Sequence, residues 1–183
     1  MADRYYSTFA RYNAWANARL YAACAKLSES EYLKPRASFF GSIHATLNHL
    51  MVADRIWLGR IEARPEKLAL NQILYGDFTA LQVARGAEDN RLIRVVEGID
   101  PARLDHPIDY LNSKGTRFRT PLRIVLGHLF NHQTHHRGQA HAMLAGTAVR
   151  PPQLDEFLMP GDARYRAAEM TALGRREETV YGG

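Results

Sequence analysis

Five of the eight histidines in this 183-residue chain fall between His128 and His141. His132 and His136 are four residues apart, and at ~100° per residue they lie within about 40° of each other on a helix. Two imidazoles one turn apart can reach one ion, so the chemistry this spacing offers is coordination of a divalent metal. Val125, Leu129 and Met143 fall beside them, which puts the pair at the border of a buried stripe. His128 and Gln139 flank the same edge. Gln139, about 20° from His132 on the wheel, is a candidate for lining a pocket. A histidine pair alone is equally well satisfied by carbonyls or carboxylates, and a shared ion in a helical bundle needs a further ligand from a facing helix. The histidines outside this segment are His44, His49 and His106. His106 precedes Pro107 in a loop, whereas His44 and His49 share one helix, on opposite sides of its apolar stripe. His49 shares its side with Ala45, Ala53 and Ile56, small enough to admit a neighbouring helix, which tips the packing argument towards His49 and leaves His44 open.

Other residue types stand where chemistry would need them. Asp54 interrupts the stripe between Leu50 and Trp57. A carboxylate there needs a partner; it is either ion-paired to one of the many arginines or a supporting group or general base beside the metal. His128 is a second candidate for supporting a ligand. Asn13 and Asn17, one turn apart on the first helix, are candidates for the pocket wall, against the alternative of solvated helix-surface asparagines. Arg137 follows the last histidine of the pair and could attract a carboxylate-bearing cofactor, or be an ordinary surface or interface arginine. Trp15 and Trp57 read as core, and Cys24 has no activating neighbour.

The elements that must position these groups are helical. Asp3 to about Lys26 has neither Gly nor Pro and reads as a first long helix. Ser28 to Ser38, with Pro35, reads as a loop. A second helix runs from about Ser42 to Ala63 before Pro65, and a third from about Phe78 to Glu97 before Gly98, with Gly86 weakening its middle. Short β-prone runs either side of Asn112-Ser113-Lys114-Gly115 predict a hairpin. Thr120-Pro121 suits an N-cap and first helical position for a fourth helix running to about Ala145. The expectation is an all-α four-helix bundle over residues 1–155, with a small β-hairpin or extended crossover before the fourth helix. Residues 156–183 read as a partly irregular C-terminal extension, with a short helix near Ala163–Leu173 and a frayed end.

Composition narrows the function classes. Hydrophobic residues make up 46% and charged residues 23%, the balance of an ordinary globular domain. A single cysteine excludes an intrachain disulfide and a cysteine-rich zinc site. No apolar run is long enough to span a bilayer and the start lacks a signal-peptide core, so no membrane partner and a cytoplasmic location are expected. The net charge of +5 is spread along the chain as scattered arginines, which argues against a dedicated nucleic-acid surface.

Three segments carry a family resemblance: Tyr12-Asn13-x-Trp15-Ala16-Asn17; Leu47-Asn48-His49-Leu50 through Ala53-Asp54 to Trp57; and, most specific, Asn131-His132-x-x-His135-His136-Arg137-Gly138-Gln139. Over residues 3–155 the chain resembles the DinB-like (DinB/YfiT, damage-inducible) superfamily. The resemblance implies a four-helix bundle, usually a homodimer, holding one divalent ion on three histidines, which by motif are His49, His132 and His136. Characterised relatives include thiol S-transferases and thiol-dependent isomerases, so it further implies a small-molecule substrate and a low-molecular-weight thiol as co-substrate. Three imidazoles leave coordination positions open. Nickel and zinc lead the candidates, and iron, cobalt and manganese are compatible with the same donors. The readings that follow are a thiol transferase with a stress or detoxification role, a hydrolase acting through metal-activated water, and a non-enzymatic metal-binding module.

Overall fold

A computed structural model describes residues 4–181. Among them are six α-helices and one two-stranded sheet. Four long helices form the body: α1 (Arg4–Cys24), α3 (Ile43–Ile61), α4 (Phe78–Glu97) and α5 (Leu122–Ala145). Between α1 and α3 lies the short α2 (Glu29–Leu33), and α6 (Ala163–Ala172) follows the bundle. In cross-section the order is α1, α4, α3, α5: α3 packs against α5 and α4, and α1 against α4 and α5. The chain therefore crosses the bundle diagonal on passing from α1 to α3 and again from α4 to α5.

Local chemistry explains most of the helix ends. Ser42 caps α3 by accepting from the Ala45 amide at 3.0 Å, and Asp77 caps α4 by accepting from Ala80 at 2.7 Å. The stretch predicted as a loop after α1 contains α2, because Ser28 accepts from the Glu31 amide and opens one helical turn there. Gly86 does not break α4. At Gly59 the chain leaving α3 folds back so closely that a Cβ would sit 2.7 Å from the Arg64 carbonyl oxygen, and only glycine fits.

The hairpin forms where expected. β1 (Pro107–Leu111) pairs antiparallel with β2 (Arg117–Pro121), and Asn112 Oδ1 holds the turn by accepting from Lys114 and Thr116 at 2.9 Å. The expected Thr120 cap does not occur. Thr120 and Pro121 extend β2 opposite Ile108 and Pro107, and α5 begins at Leu122 without a side-chain cap. Strand pairing claims the residues that local propensity assigned to a helix start.

The core is layered along the bundle axis. One apolar cluster joins Leu20, Leu47, Leu50, Met51, Leu81 and Leu144, and another joins Ala10, Leu58, Leu92, Leu126 and Leu129. A fully buried leucine stabilises by about 1.5–3 kcal/mol. Between the clusters every long helix contributes buried polar side chains: Asn13 and Asn17 from α1, Asp54 from α3, Arg85 and Asp89 from α4, Gln133 and Arg137 from α5. Phe157, Met170 and Val180 pack on Trp15 and Ala16 of α1, and the buried Arg166 pairs with Glu177 and donates to the Phe157 carbonyl at 2.5 Å. Among the described residues no helix is long and apolar enough to cross a membrane.

Candidate metal centre

Where α3 faces α5, three imidazoles converge. His49 comes from α3 and His132 and His136 from α5, and one ring nitrogen of each lies within 4.8 Å of the others. Ring centroids are 5.0 Å apart for His49–His132, 4.5 Å for His49–His136 and 4.4 Å for His132–His136. The Nε2 atoms of His49 and His132 approach to 3.1 Å. Two nitrogens on a tetrahedral zinc-sized ion would be about 3.3 Å apart, given Zn–N bonds of ~2.0–2.1 Å. The donor set fits a divalent ion. His44 is not part of the group: its ring packs edge-on against Tyr32.

Tautomers are set by the outer partners. The His49 Nδ1–H donates to the Leu70 carbonyl at 2.7 Å, and His136 Nδ1–H to Gln139 Oε1 at 2.8 Å. Each then keeps an Nε2 lone pair, the usual arrangement in metal-ligating histidines. Gln139 in turn donates to His135 Nε2 at 3.1 Å. The His132 Nδ1 is buried without a partner. Burial holds His49 down to about 4 and His132 down to about 3, and it lowers His136 as well. All three rings are thus neutral at pH 7, the form that binds metal.

Two loops build the wall outside the trio. Arg36 is tied to Glu31 at 2.5 Å, and its amide donates to the Gly41 carbonyl at 2.7 Å; Gly41 has φ of 77°, which favours glycine. This loop lays Phe40 flat on His49, with centroids 3.9 Å apart, and leaves Phe39 81% exposed beside it. The second loop supplies Leu70 and Asn71. It is pinned by the buried Asn48, whose Oδ1 accepts from Leu74 and Tyr75 at 2.9 Å and whose Nδ2 donates to the Tyr75 carbonyl at 3.1 Å. Together with the trio and His135 these residues enclose a cavity of about 450 Å³. A larger cleft of about 900 Å³ lies between α1 and α6, but it holds a single histidine, His141, bonded to the Pro152 carbonyl at 2.8 Å.

The remaining candidates go elsewhere. Asp54 faces inward, 2.7 Å from Arg85 Nη1, and accepts from Gln133; it makes no hydrogen bond to a histidine. Asn13, Asn17 and Arg137 do not line the cavity. Arg137 Nη1 donates to Asn13 Oδ1 at 2.6 Å and Asn17 Oδ1 at 3.2 Å, and both asparagines donate to Asp89. Arg137 is turned inward because the next residue round the helix from His136 faces α1. His128 packs edge-on against Trp57, its ring 6.0 Å from that of His132. The features that residue patterns did not reveal are Phe39, Phe40, Asn48 and the Leu70 carbonyl. A Phe-Phe-Gly-Ser run directly before a ligand-bearing helix was the available signal for the first two.

A family model described as the DinB family matches residues 1–167. The chain is also similar to Protein DinB of Bacillus subtilis (strain 168), with 27% identity over 156 residues, 80% of this chain and 90% of that protein.

Proposed function

Given that the chain belongs to the DinB family, we propose that His49, His132 and His136 hold one divalent first-row ion, nickel or zinc foremost, and that the site transfers a small thiol onto an electrophilic carbon. The observation that carries this reading is the convergence of three neutral imidazoles on one point at the base of an open cavity. A divalent ion with open positions lowers the pKa of a thiol or water bound to it, which keeps a nucleophile ionised near neutrality. The chain's own residues do the rest. The Leu70 carbonyl and Gln139 fix the orientation of His49 and His136. Phe40 covers one face of His49 and keeps water from that side. The cavity holds the electrophile beside the nucleophile, which supplies the proximity that a two-substrate reaction needs. In the transfer the thiol loses its proton to solvent, a C–S bond forms, and the leaving group departs with its electron pair. No oxidant or reductant is required. A homodimer belongs to the same reading, with sedimentation of the purified chain as its test.

The deciding experiment is elemental analysis of purified protein together with thiol titration of a cobalt-loaded sample. About one ion per chain is expected for the wild type, with most of it lost in His49→Ala and retained in His44→Ala. A small thiol should change the cobalt spectrum of the wild type and leave that of His136→Ala unchanged. Full occupancy in His49→Ala overturns the ligand assignment, and a thiol-insensitive spectrum overturns the transferase reading.

A further inference from the structure

The wall of the histidine cavity has a chemical character of its own. Phe39 and Phe40 come from the loop before α3, Leu70 and Asn71 from the loop after it, and His135 from α5; among the described residues no Lys, Arg, Asp or Glu lines it. Phe39 leaves 81% of its surface exposed at the mouth and Leu70 leaves 49%. Two large apolar side chains flanking an opening above polar ligands offer an apolar group a surface on which to lose its contact with water. Both walls are held in place without a ligand, one by Arg36 and Gly41 and the other by Asn48. The opening is therefore preformed, and at about 450 Å³ it has the size of a small-molecule site.

We infer that the electrophile, in the transfer proposed above on which this inference rests, is an uncharged molecule carrying a flat apolar or aromatic group that lodges between Phe39 and Leu70. A carboxylate on that group would find no Lys or Arg on the wall, and the negative π-faces of the phenyl rings would oppose it. The positive charge of a bound ion lies at the base, where the nucleophile belongs. Asn71 and His135 are the polar side chains on the wall outside the trio, and Asn71 suits a carbonyl, nitro or ether oxygen.

The test separates binding from turnover. The full chain, with and without added zinc, is titrated by NMR with 4-methylbenzyl alcohol and with 4-(hydroxymethyl)benzoate, which differ in charge. The alcohol should bind at least about tenfold more tightly in the zinc-free state, where no ion offers the carboxylate a ligand position. Phe39→Ala should weaken it about threefold to tenfold while metal content stays unchanged. Equal or tighter binding of the carboxylate in the zinc-free state, no saturable binding of either probe, or an unchanged affinity in Phe39→Ala overturns the inference. So does a Phe39→Ala protein whose main change is loss of dimer, because the mouth would then be a subunit contact. Thioether formation from benzyl bromide and 2-mercaptoethanol is read separately, as the rate with zinc-loaded protein in excess of the spontaneous rate without it. Selective binding without product leaves the apolar subsite standing and sinks the transferase reading, whereas product without selectivity does the reverse.

Discussion

Two polar assemblies sit at the same height in this bundle, and they are built on opposite principles. The inner layer sets two guanidiniums, Arg85 and Arg137, against two carboxylates, Asp54 and Asp89, with Asn13, Asn17 and Gln133 as intermediaries. The formal charges cancel, two against two, although Gln133 Oε1 and Arg137 Nη2 are left without a hydrogen-bond partner. The outer assembly brings together three like groups, neutral imidazoles whose inward nitrogens have one another for company. Their outer nitrogens are provided for at His49 and His136, by a carbonyl and a side-chain amide. A cluster of opposite charges that neutralises itself holds a fold together; a cluster of like donors with no opposite charge among them is shaped for something from outside. Asp54 and His49 are five residues apart on α3, and the difference between them is which face of the helix they occupy.

The comparison breaks first in the inner layer. Arg85→Met leaves Asp54 and Asp89 buried without their cation and should cost about 3–5 kcal/mol in urea unfolding, as for other buried pairs that lose one partner. A cost below about 1 kcal/mol would mean the layer is not what ties the helices together. The outer assembly should respond the other way. In metal-stripped protein His132→Ala should shift stability by no more than about 1 kcal/mol. The stabilisation that nickel or zinc gives the wild type, about 2.7 kcal/mol at a hundredfold excess over Kd, should vanish in that variant. A metal-induced rise in Tm that survives His132→Ala would separate the ion from these histidines.

Acid sharpens the contrast, because the two assemblies respond with opposite signs. Burial depresses His49 and His132 from 6.5 to about 4 and about 3, so between pH 6.5 and about 4 the unfolded chain takes up protons that the folded chain refuses. Metal-stripped protein therefore loses stability from this source as pH falls through that window. Burial, partly offset by Arg85, raises Asp54 from 3.8 to about 6, so between those values the folded state is the better proton acceptor and this source adds stability on acidification. Urea midpoints taken from about pH 7 to about pH 4.5 should show a shallower acid loss in His132→Ala and a steeper one in Asp54→Asn. Identical slopes in the two variants would remove the distinction. The smallest effect is expected at Gln139→Ala, which frees the His136 ring and should weaken metal binding about tenfold, with Gln139→Glu restoring it.

Much of this was legible in the chain itself. The four long helices follow from apolar periodicity and from Ser42, Asp77 and Gly98, whose local chemistry acts wherever the helices end up. The hairpin follows from Asn112 and Gly115, and the pairing of His132 with His136 from one helical turn. The inner layer was half legible. Asp54 stood out in an apolar stripe, and Arg85 and Asp89, an i,i+4 pair between Leu81 and Leu92, carried the same signature of charge on an inward face. Their partnership was not readable, because it joins residues from helices that meet only in the folded bundle.

The sequence by itself determined the elements and the donor types, since both depend on near neighbours: a turn of helix places His136 over His132 whatever surrounds it. Tertiary structure alone decided what those donors face. It chose Asp54 for Arg85, turned Arg137 inward to Asn13 and Asn17, and brought His49 on α3 against two rings on α5. It also carried Phe39, Phe40 and Leu70 to the opening from loops on either side of α3. The physical reason is that a site joining segments about 80 residues apart is fixed by how helices pack, and packing minimises buried polar mismatch over the whole molecule and not along any one stretch of it.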